Sequence, residues 1–136
     1  MPDSLIVIGA GAIGIEFAQI YARFGSAVTV LEVLPHVLPN EDEEAAASLA
    51  PALEAEGIAL MPGVSIERAS HEGHGWTLGL ADGGAVRTEE LLVATGRRPV
   101  FDVHDLHAAG VELDERGRPL LGPTLRVAYA ARLADD

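Results

Sequence analysis

Four residues near the start of the chain have the type and spacing to hold a dinucleotide: Gly9, Gly11, Gly14 and Glu32. The glycines belong to Gly9-Ala10-Gly11-Ala12-Ile13-Gly14, and the acid closes the apolar run Ala27-Val28-Thr29-Val30-Leu31. Each glycine answers a separate demand. Gly9 lets the chain turn tightly out of a strand. Gly11 lets a pyrophosphate approach bare backbone, and Gly14 lets the following helix pack close to the sheet. The helix start adds free amide donors and a partial positive charge. The whole turn, with Ala10, Ala12 and Ile13 between its glycines, is the expected phosphate cradle. Glu32 is spaced to accept hydrogen bonds from a ribose diol and to repel a 2′-phosphate, which favours NAD over NADP. FAD-binding folds share this fingerprint and glycines also mark ordinary turns, so the flanking elements carry the weight.

Other polar side chains offer less. Glu16 lies one turn into the helix; by itself it reads as a solvated carboxylate favoured by the helix dipole. His36 is a lone loop histidine. His71 and His74 flank Glu72-Gly73, where nothing fixes a metal geometry, so a solvated hairpin tip is expected and no metal site. The chain lacks Cys and Lys. A redox dithiol, a disulfide, a thiolate zinc site, a Schiff base and a P-loop lysine are therefore excluded.

The elements that must position these residues follow from apolar periodicity. Ser4 to Ile8 is an unbroken apolar strand, expected at the centre of a parallel sheet with both faces covered. From Ala12 to Phe24, Ile13, Phe17, Ile20 and Phe24 recur at helical spacing and are expected to pack on the sheet. Gly25 is the expected left-handed cap. After a loop punctuated by Pro35 and Pro39, Asn40 is the expected cap of a second helix, with Glu43 reaching back. Ala46, Leu49 and Leu53 form its packing side, and Pro51 predicts a kink or restart near Ala50. Gly57 ends that helix, and Ile58-Ala59-Leu60 is a third parallel strand. Val64 to Ala69, Trp76 to Leu80 and Ala85 to Arg87 read as an antiparallel meander around glycine-rich turns. Leu91-Leu92-Val93-Ala94 is a further buried strand. Its exit, Thr95-Gly96-Arg97-Arg98-Pro99, is either a ligand-lining loop or a plain strand end with solvated arginines. The expected class is α/β: a Rossmann-like parallel sheet with flanking helices and a three-stranded antiparallel β-meander.

Composition narrows the partners. A formal net charge of -12 over 136 residues argues against nucleic acid and anionic membranes. No apolar run is long enough to span a bilayer, and no signal-peptide pattern opens the chain, so a cytoplasmic location is expected.

Several segments in order, SLIVIGAGAIGIEFA, VTVLE with the following VLP, LLVATGRRP and AAGVELDERGRPLL, carry a resemblance. The chain resembles the NAD(P)-binding domain of the flavin-dependent pyridine nucleotide-disulfide oxidoreductases, the group of dihydrolipoyl dehydrogenase, mercuric reductase and glutathione reductase. The resemblance implies that Gly9, Gly11 and Gly14 form the phosphate loop and that Glu32 is the ribose acid of NAD-using members. It sets Glu16 near the nicotinamide and flavin, and Val64 and Gly96 along the NAD site. Ala12 stands where some NADPH-using members carry a gating aromatic. Family enzymes add an FAD domain with a Cys pair before this domain, and a dimerisation domain with a catalytic histidine after it. The expectation is therefore an NAD-binding domain over residues 1–100 and a remnant of the connection to an FAD domain over residues 101–136. The tail at Tyr129-Ala130-Ala131 resembles the start of a family segment that leads toward the flavin, and Arg132-Leu133-Ala134-Asp135-Asp136 departs from its continuation. NAD(H) is the expected cofactor, and FAD is not expected to bind this chain. No catalytic residue is assigned, and the chain alone is not expected to turn over. Its role is to position NADH for hydride transfer to FAD, with a separate flavin subunit as one partner. The alternative is a stand-alone, non-catalytic NAD-binding or regulatory module.

Overall fold

The computed structural model describes residues 1–101 and 105–128; the tail from Tyr129 onward, where the departure from the family pattern was placed, lies outside them. The chain divides into two compact units, Met1–Gly96 and Arg97–Asp136.

In the first unit the elements run β1 (Ser4–Ile8), α1 (Ala12–Arg23), β2 (Ala27–Glu32), α2 (Glu43–Ala55), β3 (Ala59–Pro62), β4 (Ile66–Glu72), β5 (Gly75–Leu80), β6 (Ala85–Thr88) and β7 (Glu90–Val93). Four strands form a parallel sheet in the order β3-β2-β1-β7. The other three form the antiparallel meander β4-β5-β6. The α/β class and the meander thus stand as the sequence predicts.

The strand pleat explains the unbroken apolar run of β1, because alternate side chains feed two cores. Leu5 and Val7 join Val28, Val30, Ile15, Ala18 and Leu53 on the helical face of the sheet. Ile6 and Leu31 face the other way, against Leu78 of the meander. A strand covered on both faces has no use for polar side chains.

Helix α1 corrects one expectation. Its large stripe faces outward: Ile13, Phe17, Ile20 and Phe24 are 51%, 40%, 46% and 68% exposed. The buried face is Gly14, Ile15 and Ala18. Two apolar faces compete here, and the sheet takes the one with small residues because it permits the closer approach. Gly25, at φ 99°, ends the helix as expected.

Helix α2 corrects the expected cap and excludes a restart at Pro51. Asp42, not Asn40, is the N-cap; its Oδ1 accepts from Glu44 N at 2.9 Å and Ala45 N at 3.3 Å. The assigned helix also runs unbroken through Pro51 from Glu43 to Ala55, with Ala46 and Leu53 buried. Tertiary packing on both sides of Pro51 outweighs the loss of one backbone bond. The C-terminal ends of the two helices are tied by Arg23, which donates to Glu56 at 2.8 and 2.9 Å. The Arg23 hydrogen bond holds the Glu56 carboxyl below the usual carboxylate range.

Strand limits move by one to three residues: the third parallel strand begins at Ala59, and the meander's first strand runs from Ile66 to Glu72. His71 belongs to that strand, where it pairs with Trp76 and meets its ring edge-on at 5.0 Å. Among the described residues no group of three His, Cys, Asp or Glu side chains could hold a metal ion, and no helix is long and apolar enough to cross a membrane.

The second unit is held by turns and isolated bridges, Leu113 to Pro119 and Leu121 to Val127. Asp114 organises its turn, accepting from Arg116 N, Arg118 N and Arg118 Nε at 2.8, 2.9 and 2.7 Å.

Candidate functional site

In an open parallel sheet, ligands bind beyond the carboxyl ends of the strands, where the strand order reverses direction. Here β2 lies on one side of β1 and β7 on the other. A cleft of about 500 Å³ opens at those strand ends, a size within the ordinary range for ligand pockets.

The glycine turn forms one wall. Gly9 has φ 102°, and a Cβ there would lie 2.7 Å from the Ala94 carbonyl oxygen. Its N–H donates to Leu31 O at 2.8 Å, tying the turn to the end of β2. Gly11 is the N-cap of α1, with φ -71° and ψ 175°. Apart from its chain neighbours, none of the described atoms lies within 4 Å of where its Cβ would be. The space beside Gly11 is thus an open cradle with bare backbone for its floor. No side chain caps the helix start, and its first turn holds no acid. The first-turn amides, which have no intrahelical partner, are left to an anion.

Glu32 is a second part of the lining. It is 8% exposed, yet borders the cleft. Its Oε2 accepts from Ala10 N at 2.8 Å and its Oε1 from Leu34 N at 2.9 Å. A carboxylate has about four acceptor sites, so both oxygens keep capacity for a diol. The two backbone bonds fix its rotamer before a ligand arrives, which reduces the ordering cost of binding.

Of the residues singled out from sequence, Gly9, Gly11, Glu32, Val64 and Gly96 line this cleft. The rest of the turn lies elsewhere. Ala10 is fully buried, with its amide on Glu32 and its carbonyl on Leu38 N. Gly14 is buried beneath the turn, where a Cβ would fall on the Gly9 carbonyl. Ala12, Ile13 and Glu16 sit on the exposed surface of α1 and do not border the cleft. Thr95, in the strand exit read from sequence as either ligand-lining or plain, also borders it, while sequence reasoning missed Leu34, Pro39, Asn40 and Ser65, which do too. The strand-end rule could have found Leu34, since it follows the last residue of β2 closely. No signal in the sequence marks Pro39 and Asn40, which reach the cleft through the conformation of a loop.

The open cradle makes a sharp expectation. Gly11→Ala should leave the unfolding free energy unchanged or raise it by about 0.4–1 kcal/mol, because the backbone there suits any residue. The same methyl stands where a diphosphate would approach, so affinity for a dinucleotide in this cleft should fall about tenfold or more. Urea unfolding and NADH fluorescence titration read the two effects separately.

A family model described as pyridine nucleotide-disulphide oxidoreductase matches residues 1–131. A dihydrolipoyl dehydrogenase of Thermus scotoductus is 44% identical over 123 residues, covering 86% of this chain and 26% of the relative. A mercuric reductase of Bacillus cereus is 36% identical over 129 residues, covering 93% of this chain and 20% of the relative. Among solved structures, the HOCl-induced flavoprotein disulfide reductase RclA of Escherichia coli is similar, with a TM-score of 0.79 and 32% identity over 94% of this chain and 29% of that one. The chain thus spans about a quarter of the length of the curated relatives it matches.

Proposed function

The chain belongs to the pyridine nucleotide-disulphide oxidoreductase family, and from that premise we propose that its cleft binds NAD(H) and positions the nicotinamide for hydride transfer to FAD. The family comprises flavin-dependent disulfide oxidoreductases that bind FAD and NAD(P). The choice of NAD for this cleft rests on one observation. Glu32 borders the same cleft as the bare Gly11 cradle, with both of its oxygens held by backbone amides. A fixed carboxylate favours a free ribose diol and opposes a 2′-phosphate. Among the described residues no Arg borders the cleft to reverse that preference.

The nicotinamide supplies the hydride chemistry when bound; the chain supplies binding and orientation. Gly9 and Gly11 keep side chains away from the diphosphate. The unpartnered amides at the start of α1 lie next to Gly11, which lines the cleft, and Glu32 holds the ribose. Gly96 leaves the far wall of the cleft without a side chain. A flavin bound outside this cleft would take up the hydride.

Calorimetric titration with NADH, NADPH and FAD tests the assignment. NADH is expected to bind, and NADPH about tenfold or more weaker through repulsion by Glu32. FAD is expected to give no heat of binding. A preference for FAD would overturn the cofactor assignment, and equal affinity for NADPH would overturn the role given to Glu32.

A further inference from the structure

The loop between β2 and α2 contains an unusual backbone. Among the described residues, positive φ falls on nine glycines and on two others, Leu38 at 47° and Leu125 at 59°. A leucine in the left-handed region is strained, and such a residue persists only where its surroundings hold it there. The holding contacts are present. Leu38 N donates to Ala10 O at 2.8 Å. Ala10 is fully buried, so its carbonyl has no solvent to turn to if that bond opens. Val37, one residue earlier, is buried in the core, and the Leu38 side chain packs against the same cluster. Pro39 and Asn40, directly after, line the cleft that Gly11 and Glu32 also line.

We infer that Leu38 is a positioning residue: its strained, doubly anchored backbone fixes Pro39 and Asn40 as a rigid outer wall for the adenosine half of the dinucleotide. The inference rests on the NAD(H) reading of the cleft. Glycine would reach the same φ without strain. It would also leave the loop without its side-chain anchor. The bond to Ala10 O matters because Ala10 N is bonded to Glu32 Oε2. Wall, phosphate turn and ribose acid are therefore one hydrogen-bonded unit running from Leu38 through Ala10 to Glu32. Because Asp42 caps α2, Asn40 is not drawn into the helix and is left to the cleft.

Leu38→Gly removes the anchor and the strain together and keeps the N–H, while Leu38→Met keeps the volume. ADP-ribose and NADH are each expected to bind Leu38→Gly about 5- to 10-fold more weakly. That is the factor for a wall in place only about 10–20% of the time. Leu38→Met should keep wild-type affinity for both. Amide hydrogen exchange gives a readout that does not depend on ligand. The Leu38 amide should be protected in the wild type and exchange faster in Leu38→Gly, while amides of β1 stay as they were. Wild-type affinity of Leu38→Gly for ADP-ribose would overturn the inference. So would a wild-type Leu38 amide that exchanges as freely as that of exposed Asn40. If the wild-type protein binds neither ADP-ribose nor NADH, the NAD(H) reading fails, and the exchange data still decide whether the wall is pinned.

Discussion

Glu32→Ala is expected to lose NADH binding and to destabilise the fold at the same time. Most substitutions in a binding site do one or the other. Here the same carboxylate serves both ends, because it accepts from Ala10 N and Leu34 N while bordering the cleft. Removing it leaves a fully buried donor at Ala10 and a part-buried one at Leu34 without acceptors. A buried orphan costs about 1–3 kcal/mol, and the part-buried Leu34 donor costs less because water reaches it, so the two together should cost about 2–4 kcal/mol. That is a large share of the roughly 5–15 kcal/mol that holds a domain of this kind together. Hydrogen bonds to a charged group contribute about 1.5–3 kcal/mol each, so losing a ribose diol contact should weaken NADH about 100-fold or more. Trp76, the single tryptophan, reports urea unfolding from the meander. Glu32→Gln offers a graded control. It keeps one acceptor oxygen and turns the other into a donor that opposes a backbone N–H, so about half of the stability loss should remain. Stability of Glu32→Ala within about 0.5 kcal/mol of wild type would mean that the clamp is not formed. A destabilised variant that still binds NADH normally would separate the clamp from the ribose and leave only the structural role.

Gly14→Ala is expected to abolish the folded state. A methyl at Gly14 would overlap the Gly9 carbonyl oxygen, and would lie 3.1 Å from the Gly9 carbonyl carbon and 3.4 Å from Ala94 Cβ. None of these neighbours can step aside cheaply. Gly9 is the turn out of the central strand, tied to Leu31, and Ala94 is tied to Ile8 by its own amide. Relief requires α1 to lift off the sheet, which would open the contacts of Ile15 and Ala18 with the core. A loss above about 4 kcal/mol falls in the exceptional class and would leave little of a marginal domain. Circular dichroism and urea unfolding should show a broadened or absent transition. The contrast with Gly11→Ala carries the physical point: the same methyl, three positions earlier, meets open space. One glycine serves the packing and the other the ligand. A Gly14→Ala protein as stable as wild type would mean that helix and turn are not in contact as described.

Much of this was legible in the sequence because it is decided locally. A glycine-bounded bend between an apolar strand and a helix is a backbone requirement, and Gly9 meets it at φ 102°. The pleat of a strand makes an unbroken apolar run a statement about two covered faces, and Leu5 to Ile8 prove to feed two cores. Short alternating runs around Asp82-Gly83-Gly84 predict a meander for the same reason. The acid closing β2 was placed by counting alone.

What the chain could not announce was settled by which surfaces meet. Helix α1 has two apolar faces, and periodicity cannot say which is inside; Gly14 and Ala18 win over Phe17 and Phe24 because small side chains let the helix approach the sheet. Asn40 and Asp42 can both cap a helix, and the course of the preceding loop gives the cap to Asp42 and Asn40 to the cleft. Ala10 lies within the glycine fingerprint, yet its amide is committed to Glu32, 22 residues away, rather than left to a phosphate. Local rules fix what a backbone can do at each position, while long-range contacts decide which of the permitted partners each polar group finds, because only they set what is buried beside it.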